Sequence, residues 1–241
     1  MRIIGMMGVA FVLASSTPFP VWAYCLWFAL WITTFVFPVT RTKRIVFPSF
    51  LILSAFLCVL EIPHHRCPVI PVGKNQHIYV MGDSISAGMG TSERNWPLVL
   101  GDISNLKVTN LALPGAAATT ALSQLNGIII PHSLVLIEIG GNDLLGTTSN
   151  DDFAKSLDTL LQKMPSSSSC AMFELPLLPF RSGYGEIQRA IARKYNVVLI
   201  PKKVLTNVIG GDGNTLDGLH LSQKGHDALA RAVFRMLVIA R

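Results

Sequence analysis

Ser84 lies in the stretch MGDSISAGMG, residues 81–90, where a short apolar run breaks into small residues. A serine hydroxyl held at the mouth of a sheet can attack a carbonyl carbon if three further kinds of group reach it. These are a base for its proton, a group to orient that base, and donors for the oxyanion. The chain holds a candidate for each. In LDGLHLS, residues 216–222, Asp217 stands three residues before His220. In a turn, that spacing brings the carboxylate to one imidazole nitrogen while the other faces Ser84. The carboxylate then fixes the tautomer and favours the imidazolium as it forms. The candidate oxyanion donors are the Ser84 N–H, the Gly115 N–H and the side-chain amide of Asn142. Glycine at 115 lets backbone approach closely, and an amide is a neutral donor suited to developing negative charge. The chemistry such a set could do is attack on a carbonyl carbon through an acyl-enzyme, and it needs neither metal nor organic cofactor.

These residues come from separated segments, so the fold must gather them. From residue 77 apolar runs alternate with amphipathic ones. HIYVMG (77–82), LKVTNLAL (106–113), SLVLIEIG (133–140), CAMFELPLL (170–178) and NVVLIP (196–201) read as strands. WPLVLGDIS (96–104), AAATTALSQL (116–125), DDFAKSLDTLLQKM (151–164) and YGEIQRAIARKY (184–195) read as helices. SQKGHDALARAVFRMLVIA (222–240) reads as a last helix capped by Ser222. Alternating strands and helices imply right-handed crossovers and a parallel sheet covered on both faces. In such sheets the ligand crevice lies at the carboxyl ends of the strands. Ser84 and Asn142 each follow a strand end, and Gly115 follows a third.

Four blocks resemble the SGNH (GDSL) hydrolase family in order and in spread: GDSIS (82–86), LPGAAA (113–118), GGND (140–143) and DGLH (217–220). The resemblance covers about residues 77–241. It is nearest the bacterial periplasmic thioesterase/lysophospholipase type, through ISAGMGTSERNWP, IEIGGNDLLG and HLSQKGHDALA. It implies a flavodoxin-like three-layer α/β/α domain, a Ser84–Asp217–His220 triad, and an oxyanion hole of Ser84, Gly115 and Asn142. The α/β-hydrolase elbow G-x-S-x-G is not met, because position 86 is Ser.

Each block taken alone has a plainer reading. Gly, Asp and Ser are common turn formers. Asp83 and Asp143 are expected to hold turns through bonds to backbone, and Asn110 either braces the glycine loop or simply ends a strand. His226 reads as solvent-facing or as packing in the last helix, while His77 and His132 read as edge residues. Glu138, in an apolar strand, requires a partner within the fold. HHRC, residues 64–67, lacks a second ligand cluster at metal-site spacing.

Half of the 241 residues are hydrophobic. Residues 3–40 and 45–60 contain no charged side chain. Since a membrane span needs about 20 apolar residues, spans are expected at roughly 3–16, 20–39 and 45–62, giving two or three transmembrane helices. A cleaved signal peptide is the competing reading, but apolar sequence resumes at once in VWAYCLWFALW. Residues 63–76, with three prolines, read as a linker to a domain at 77–241. RTKR (41–44) marks a cytoplasmic loop, which puts the later domain across a bacterial inner membrane, facing periplasm or exterior.

The net charge of +6 divides unevenly, with +5 in residues 1–76 and +1 in 77–241. The globular part therefore lacks the basic excess that nucleic-acid binding needs. Cys67 and Cys170 would share an oxidising compartment, so a disulfide between them is permitted. The expected partners are an acyl ester or thioester substrate and the membrane. An O-acetylesterase acting on envelope polysaccharide and a non-catalytic membrane-anchored binding module stay open as alternatives.

Overall fold

The structure, a computed structural model, describes residues 21–36, 43–89, 93–176 and 181–240. They fall into two units. The first holds the described residues up to Arg66 and those of Leu177–Glu186, and the second holds Cys67–Pro176 and the chain from Ile187 on.

The first unit contains α1 (Val21–Val36) and α2 (Lys43–Glu61), followed by a 3-10 turn at Ile62–His65. Trp27, Phe50 and Leu57 form its small buried cluster. The Trp27 Nε1–H donates to Ser54 Oγ at 2.9 Å, which gives the buried indole its partner. Elsewhere the two helices expose Trp22, Leu26, Phe28, Ile52 and Phe56, so large apolar side chains face outward. Among the described residues one helical stretch, Ile45–His65, is long and apolar enough to cross a membrane. Of the two or three spans expected, the described residues offer this one candidate. Of the expected span at 20–39 the described part is α1, 16 residues long, and the expected span at 3–16 lies outside the described residues.

The second unit is built on a parallel sheet. Its strands are β2 (Ile78–Gly82), β3 (Val108–Asn110), β4 (Leu134–Glu138), β5 (Ser169–Phe173) and β6 (Val198–Ile200). They stand in the order β3-β2-β4-β5-β6, every neighbouring pair parallel. This is the flavodoxin-like order, and its switch point lies between β2 and β4, where successive connections leave in opposite directions. The helices between strands are α3 (Ser84–Ala87), α4 (Trp96–Ser104), α5 (Gly141–Leu145), α6 (Asn150–Gln162), α7 (Ser182–Lys194) and α8 (Lys203–Ile209).

Side chains alternate across a strand. Ile78, Val80, Leu134, Leu136 and Phe173 pack in one cluster with Leu100 of α4 and with Leu229 and Val233. Tyr79, Met81, Val135, Ile137 and Met172 are equally buried and belong to the opposite face. Helix α6 buries the stripe Phe153, Leu157, Leu160, Leu161. Its N-cap Ser149 accepts from the Asp152 N–H, and two aspartates in its first turn complement the helix dipole.

The last helix, α9 (Gln223–Phe234), starts at its N-cap Ser222 as expected but stops before residue 235. The apolar tail then forms β7 (Leu237–Ile239), paired in parallel with β1 (Ile70–Val72). Thus part of the stretch expected as linker is a strand, held by the chain's far end. The expected strand at 106–113 narrows to β3, although Leu111 and Leu113 still donate to Val80 and Gly82 of β2. The helix expected at 116–125 is a 3-10 segment, Thr120–Gly127. Cys67 and Cys170 carry free thiols, and burial pushes the Cys170 thiol up to about 11.

Candidate active site

Strand β2 ends at Gly82, and the backbone there is clamped by one side chain. Gln124 accepts from the Gly82 N–H and donates to the Gly82 carbonyl, both at 2.9 Å. A Cβ at position 82 would lie 2.7 Å from Ser86 Cβ, so only glycine fits unmoved. Asp83 caps the short helix α3 by accepting from the Ile85 N–H at 2.9 Å. Ser84 is the first residue of that helix and is half-buried. Among the described residues neither its hydroxyl nor its N–H makes a hydrogen bond.

Asn142, in α5 just past the end of β4, ties the segments together. Its amide donates to Asp83 Oδ2 at 3.2 Å and to the Ala116 carbonyl at 3.0 Å. One side chain therefore bonds to the residue before Ser84 and to the residue after Gly115. Gly115 itself has φ +75°, with nothing within 4 Å of where a Cβ would stand. Its N–H, like that of Ser84, has no acceptor among the described residues. Unsatisfied backbone donors are uncommon in folded chains unless solvent or a ligand serves them. Asp143 braces the same corner by accepting from the Ala118 N–H at 2.8 Å.

The second part of the site is the turn at Asp217–His220. Gly218 takes φ +90°, a conformation that suits glycine. Asp217 Oδ1 accepts from the Leu219 N–H at 3.0 Å and the His220 N–H at 2.8 Å. Its Oδ2 meets His220 Nδ1 at 2.6 Å. The His220 side chain, then the two backbone donors, hold the Asp217 carboxyl well below the usual carboxylate range. An ionised Asp217 makes Nδ1 the protonated nitrogen and leaves Nε2 as the base. Asp217 is about half exposed, with a side-chain exposure of 54% against 24% for His220. Burial pushes the Asp83 carboxyl, next to Ser84, above the usual carboxylate range, and a positive charge on His220 would oppose that. No hydrogen bond joins His220 to Ser84 among the described residues.

Around these groups runs a layer of support that the sequence showed only in part. Asn110 donates to the Ser86 carbonyl at 2.8 Å and accepts from the Ala112 N–H at 3.1 Å, so it braces the glycine loop. Glu138, at the end of β4 and in register with Gly82, is 3% exposed. Its partner is Ser86, whose hydroxyl donates at 2.9 Å; burial, then the Asp83 charge, push its carboxyl well above the usual range. The Trp96 indole N–H donates to Ser86 Oγ at 3.1 Å. His226 is neither solvent-facing nor simply packed. It is fully buried, and its Nδ1 accepts from the Trp96 backbone N–H at 3.2 Å, pinning the start of α4. Its place on one helical stripe with Leu229, Ala230 and Val233 is the sequence signal for that burial. Among the described residues no group of three or more metal-ligating side chains occurs.

The sequence pattern of the GDSL-like lipase/acylhydrolase family matches residues 80–228, more than half of the chain. No curated protein sequence matches. Solved structures do. The psychrotrophic esterase EstA from Pseudoalteromonas sp., inhibited by monoethylphosphonate, aligns over 67% of this chain and 96% of its own, with TM-score 0.60 and 22% identity. TesA aligns over 67% and 97%, with TM-score 0.60 and 24% identity. A putative lipolytic protein of the G-D-S-L family from Desulfitobacterium hafniense aligns over 68% and 100%, with TM-score 0.56 and 20% identity. At such identities the structural likeness speaks for the fold, and the family pattern speaks for the chemistry. The chain belongs to the GDSL-like lipase/acylhydrolase family and is a serine hydrolase acting on ester bonds.

Proposed function

We propose that Ser84 is the nucleophile of a membrane-anchored acyl-ester hydrolase of the thioesterase/lysophospholipase type. The observation that carries the site assignment is the Asn142 amide, bonded at once beside Ser84 and beside Gly115. Neither of those N–H groups has a partner among the described residues. In this reading His220 Nε2 takes the Ser84 proton as Ser84 Oγ attacks the carbonyl carbon. The oxyanion is met by the Ser84 and Gly115 N–H groups and by Asn142. His220 returns the proton to the departing alcohol or thiol. A water, deprotonated by His220, then attacks the acyl-enzyme and releases the acid. Both Asn142 contacts are to protein oxygens, so the amide must share one with the oxyanion. The 3.2 Å bond to Asp83 is the longer and the one to yield.

The preference for acyl chains rests on the residues beside the site. Met89, Leu113, Leu145, Leu216 and Leu219 are exposed large apolar side chains, each within five residues of a proposed site residue. Such a rim suits hydrocarbon better than a sugar chain. The anchor is the Ile45–His65 helix. The basic RTKR stretch before it lies in the cytoplasm and the catalytic unit on the opposite side.

The test is hydrolysis of p-nitrophenyl esters from acetate to palmitate by the full chain in detergent, beside Ser84→Ala. Activity rising with chain length and absent from the variant is expected. Activity confined to acetate would move the reading to an O-acetylesterase. For the anchor, the chain should stay in the membrane pellet through carbonate extraction, and release into the supernatant would refute it.

A further inference from the structure

The segment Arg94–Asn95–Trp96 stands between the helix that begins at Ser84 and the helix that follows His220. Helix α9 starts at Gln223, three residues after His220, and it grips the segment from one side. The Gln223 side chain accepts from the Arg94 N–H at 2.8 Å and donates to the Arg94 carbonyl at 3.3 Å. One turn on, His226 Nδ1 accepts from the Trp96 N–H at 3.2 Å. From the other side the same segment grips α3. The Asn95 amide donates to the Ala87 carbonyl at 3.2 Å, and the Trp96 indole N–H donates to Ser86 Oγ at 3.1 Å. Gly88, just past α3, lies so close that a Cβ on it would come 3.7 Å from Asn95 Cβ and 3.9 Å from His226 Nε2. The Arg94 side chain also pairs with Asp102, which ties the segment to the body of α4.

Two of these bonds go beyond what the helices need for themselves. Asn95 already caps α4 with its Oδ1, which accepts from the Leu98 N–H at 3.2 Å, so its bond to Ala87 is an addition. Gln223 is exposed and lies outside the core, yet its amide holds both polar groups of one residue. Leu100 of α4 packs in one cluster with Leu229 and Val233 of α9. Apolar contact of that kind is non-directional and fixes no register, whereas hydrogen bonds do. We propose, resting on the functional reading above, that Arg94–Trp96 is a strut that sets the reach of His220 to Ser84, with Gln223 and Asn95 as its positioning residues. The proton passes between two side chains on separate segments, so its transfer depends on how those two backbones are held apart. A misplacement of about 1 Å there can cost about 10²-fold in rate.

Two variants that spare the core test it, in the full chain in detergent. Gln223→Met keeps the length of an exposed side chain and removes both bonds to Arg94. Asn95→Ser keeps a capping oxygen for α4 and removes the bond to Ala87. The rate is kcat on a p-nitrophenyl ester per active site titrated with an alkyl phosphonate, so unfolded protein does not count. Each variant should lower it by about threefold to tenfold, because one tether remains on the side that was cut, with KM and Tm little changed. The second readout is deuterium exchange of the α3 amides, with which Gln223 shares no hydrogen bond. Exchange there should quicken in Gln223→Met, since α3 loses a hold transmitted through Arg94–Trp96. Wild-type kcat per site in both variants, or unchanged α3 exchange in Gln223→Met, would overturn the proposal. A wild-type protein without esterase activity would count against the functional reading instead, and α3 exchange would still decide whether the strut exists.

Discussion

Replacing Asp217 by asparagine tests the roles given to the Asp217–His220 turn. The change is nearly isosteric, so its effects can be worked atom by atom. Asp217 Oδ1 accepts from the Leu219 and His220 N–H groups at 3.0 and 2.8 Å. The amide oxygen of the Asp217→Asn variant can take over both bonds, and the turn should survive. The difference lies at the 2.6 Å contact with His220 Nδ1. A carboxylate there accepts the Nδ1 proton, while an amide NH2 donates. Imidazole must then present Nδ1 as acceptor and carry its proton on Nε2, the nitrogen that should receive the Ser84 proton. The wrong tautomer disables the base, and comparable tautomer errors in serine hydrolases cost about 10⁴-fold in kcat. Because Asp217 is half exposed, water competes for Nδ1 and softens the error, so a fall of about 10³-fold is expected. Asp217→Ala should lose less, since water can accept the Nδ1 proton and either tautomer stays open. The assay is kcat on a p-nitrophenyl ester, with Tm measured beside it. Asp217→Asn within about tenfold of wild type, or less impaired than Asp217→Ala at equal Tm, would refute the reasoning.

Three further outcomes follow from the same geometry. Gly82→Ala forces a Cβ to 2.7 Å from Ser86 and 3.0 Å from the Glu138 carbonyl; it should destabilise by about 1–3 kcal/mol in chemical denaturation and lower kcat as α3 shifts. Gly115→Ala meets open space but keeps φ +75°; it should cost about 1–2 kcal/mol of stability, and a neutral result would argue against the left-handed backbone there. Glu138 should also make stability depend on pH. Its folded carboxyl titrates above the unfolded value of about 4.3, so above that pH the unfolded chain has lost a proton the native state keeps, and stability falls as pH rises. Denaturant midpoints from pH 5 upward should therefore drop more steeply for wild type than for Glu138→Gln, and parallel slopes would contradict this.

Much of this arrangement was legible before the fold was known. Each strand bearing a site segment has an apolar run that stops at small or polar residues, and the crevice rule then brings Ser84, Gly115 and Asn142 to one edge. Asp217 and His220 are close in sequence, so their pairing needs only a turn. The end of the chain was less legible. MLVIA continues the apolar stripe of α9, and nothing in a three-residue strand distinguishes it from another helical turn. Its partner Ile70–Val72 contains a proline and looks like linker until β7 lies beside it. Glu138 announced that it needed a partner, but Ser86 lies 52 positions earlier in the chain and meets it only through the β2–β4 register. The membrane expectation rested on apolar length alone, and among the described residues only Ile45–His65 meets it.

The central claim is that Ser84 is the nucleophile, and the most direct measurement is covalent labelling. The full chain in detergent is treated with an alkyl phosphonate, digested, and mapped by mass spectrometry. The account predicts one adduct, on the peptide carrying Ser84, formed in step with loss of esterase activity and absent from Ser84→Ala. An adduct on another serine, or full activity in Ser84→Ala, would contradict it.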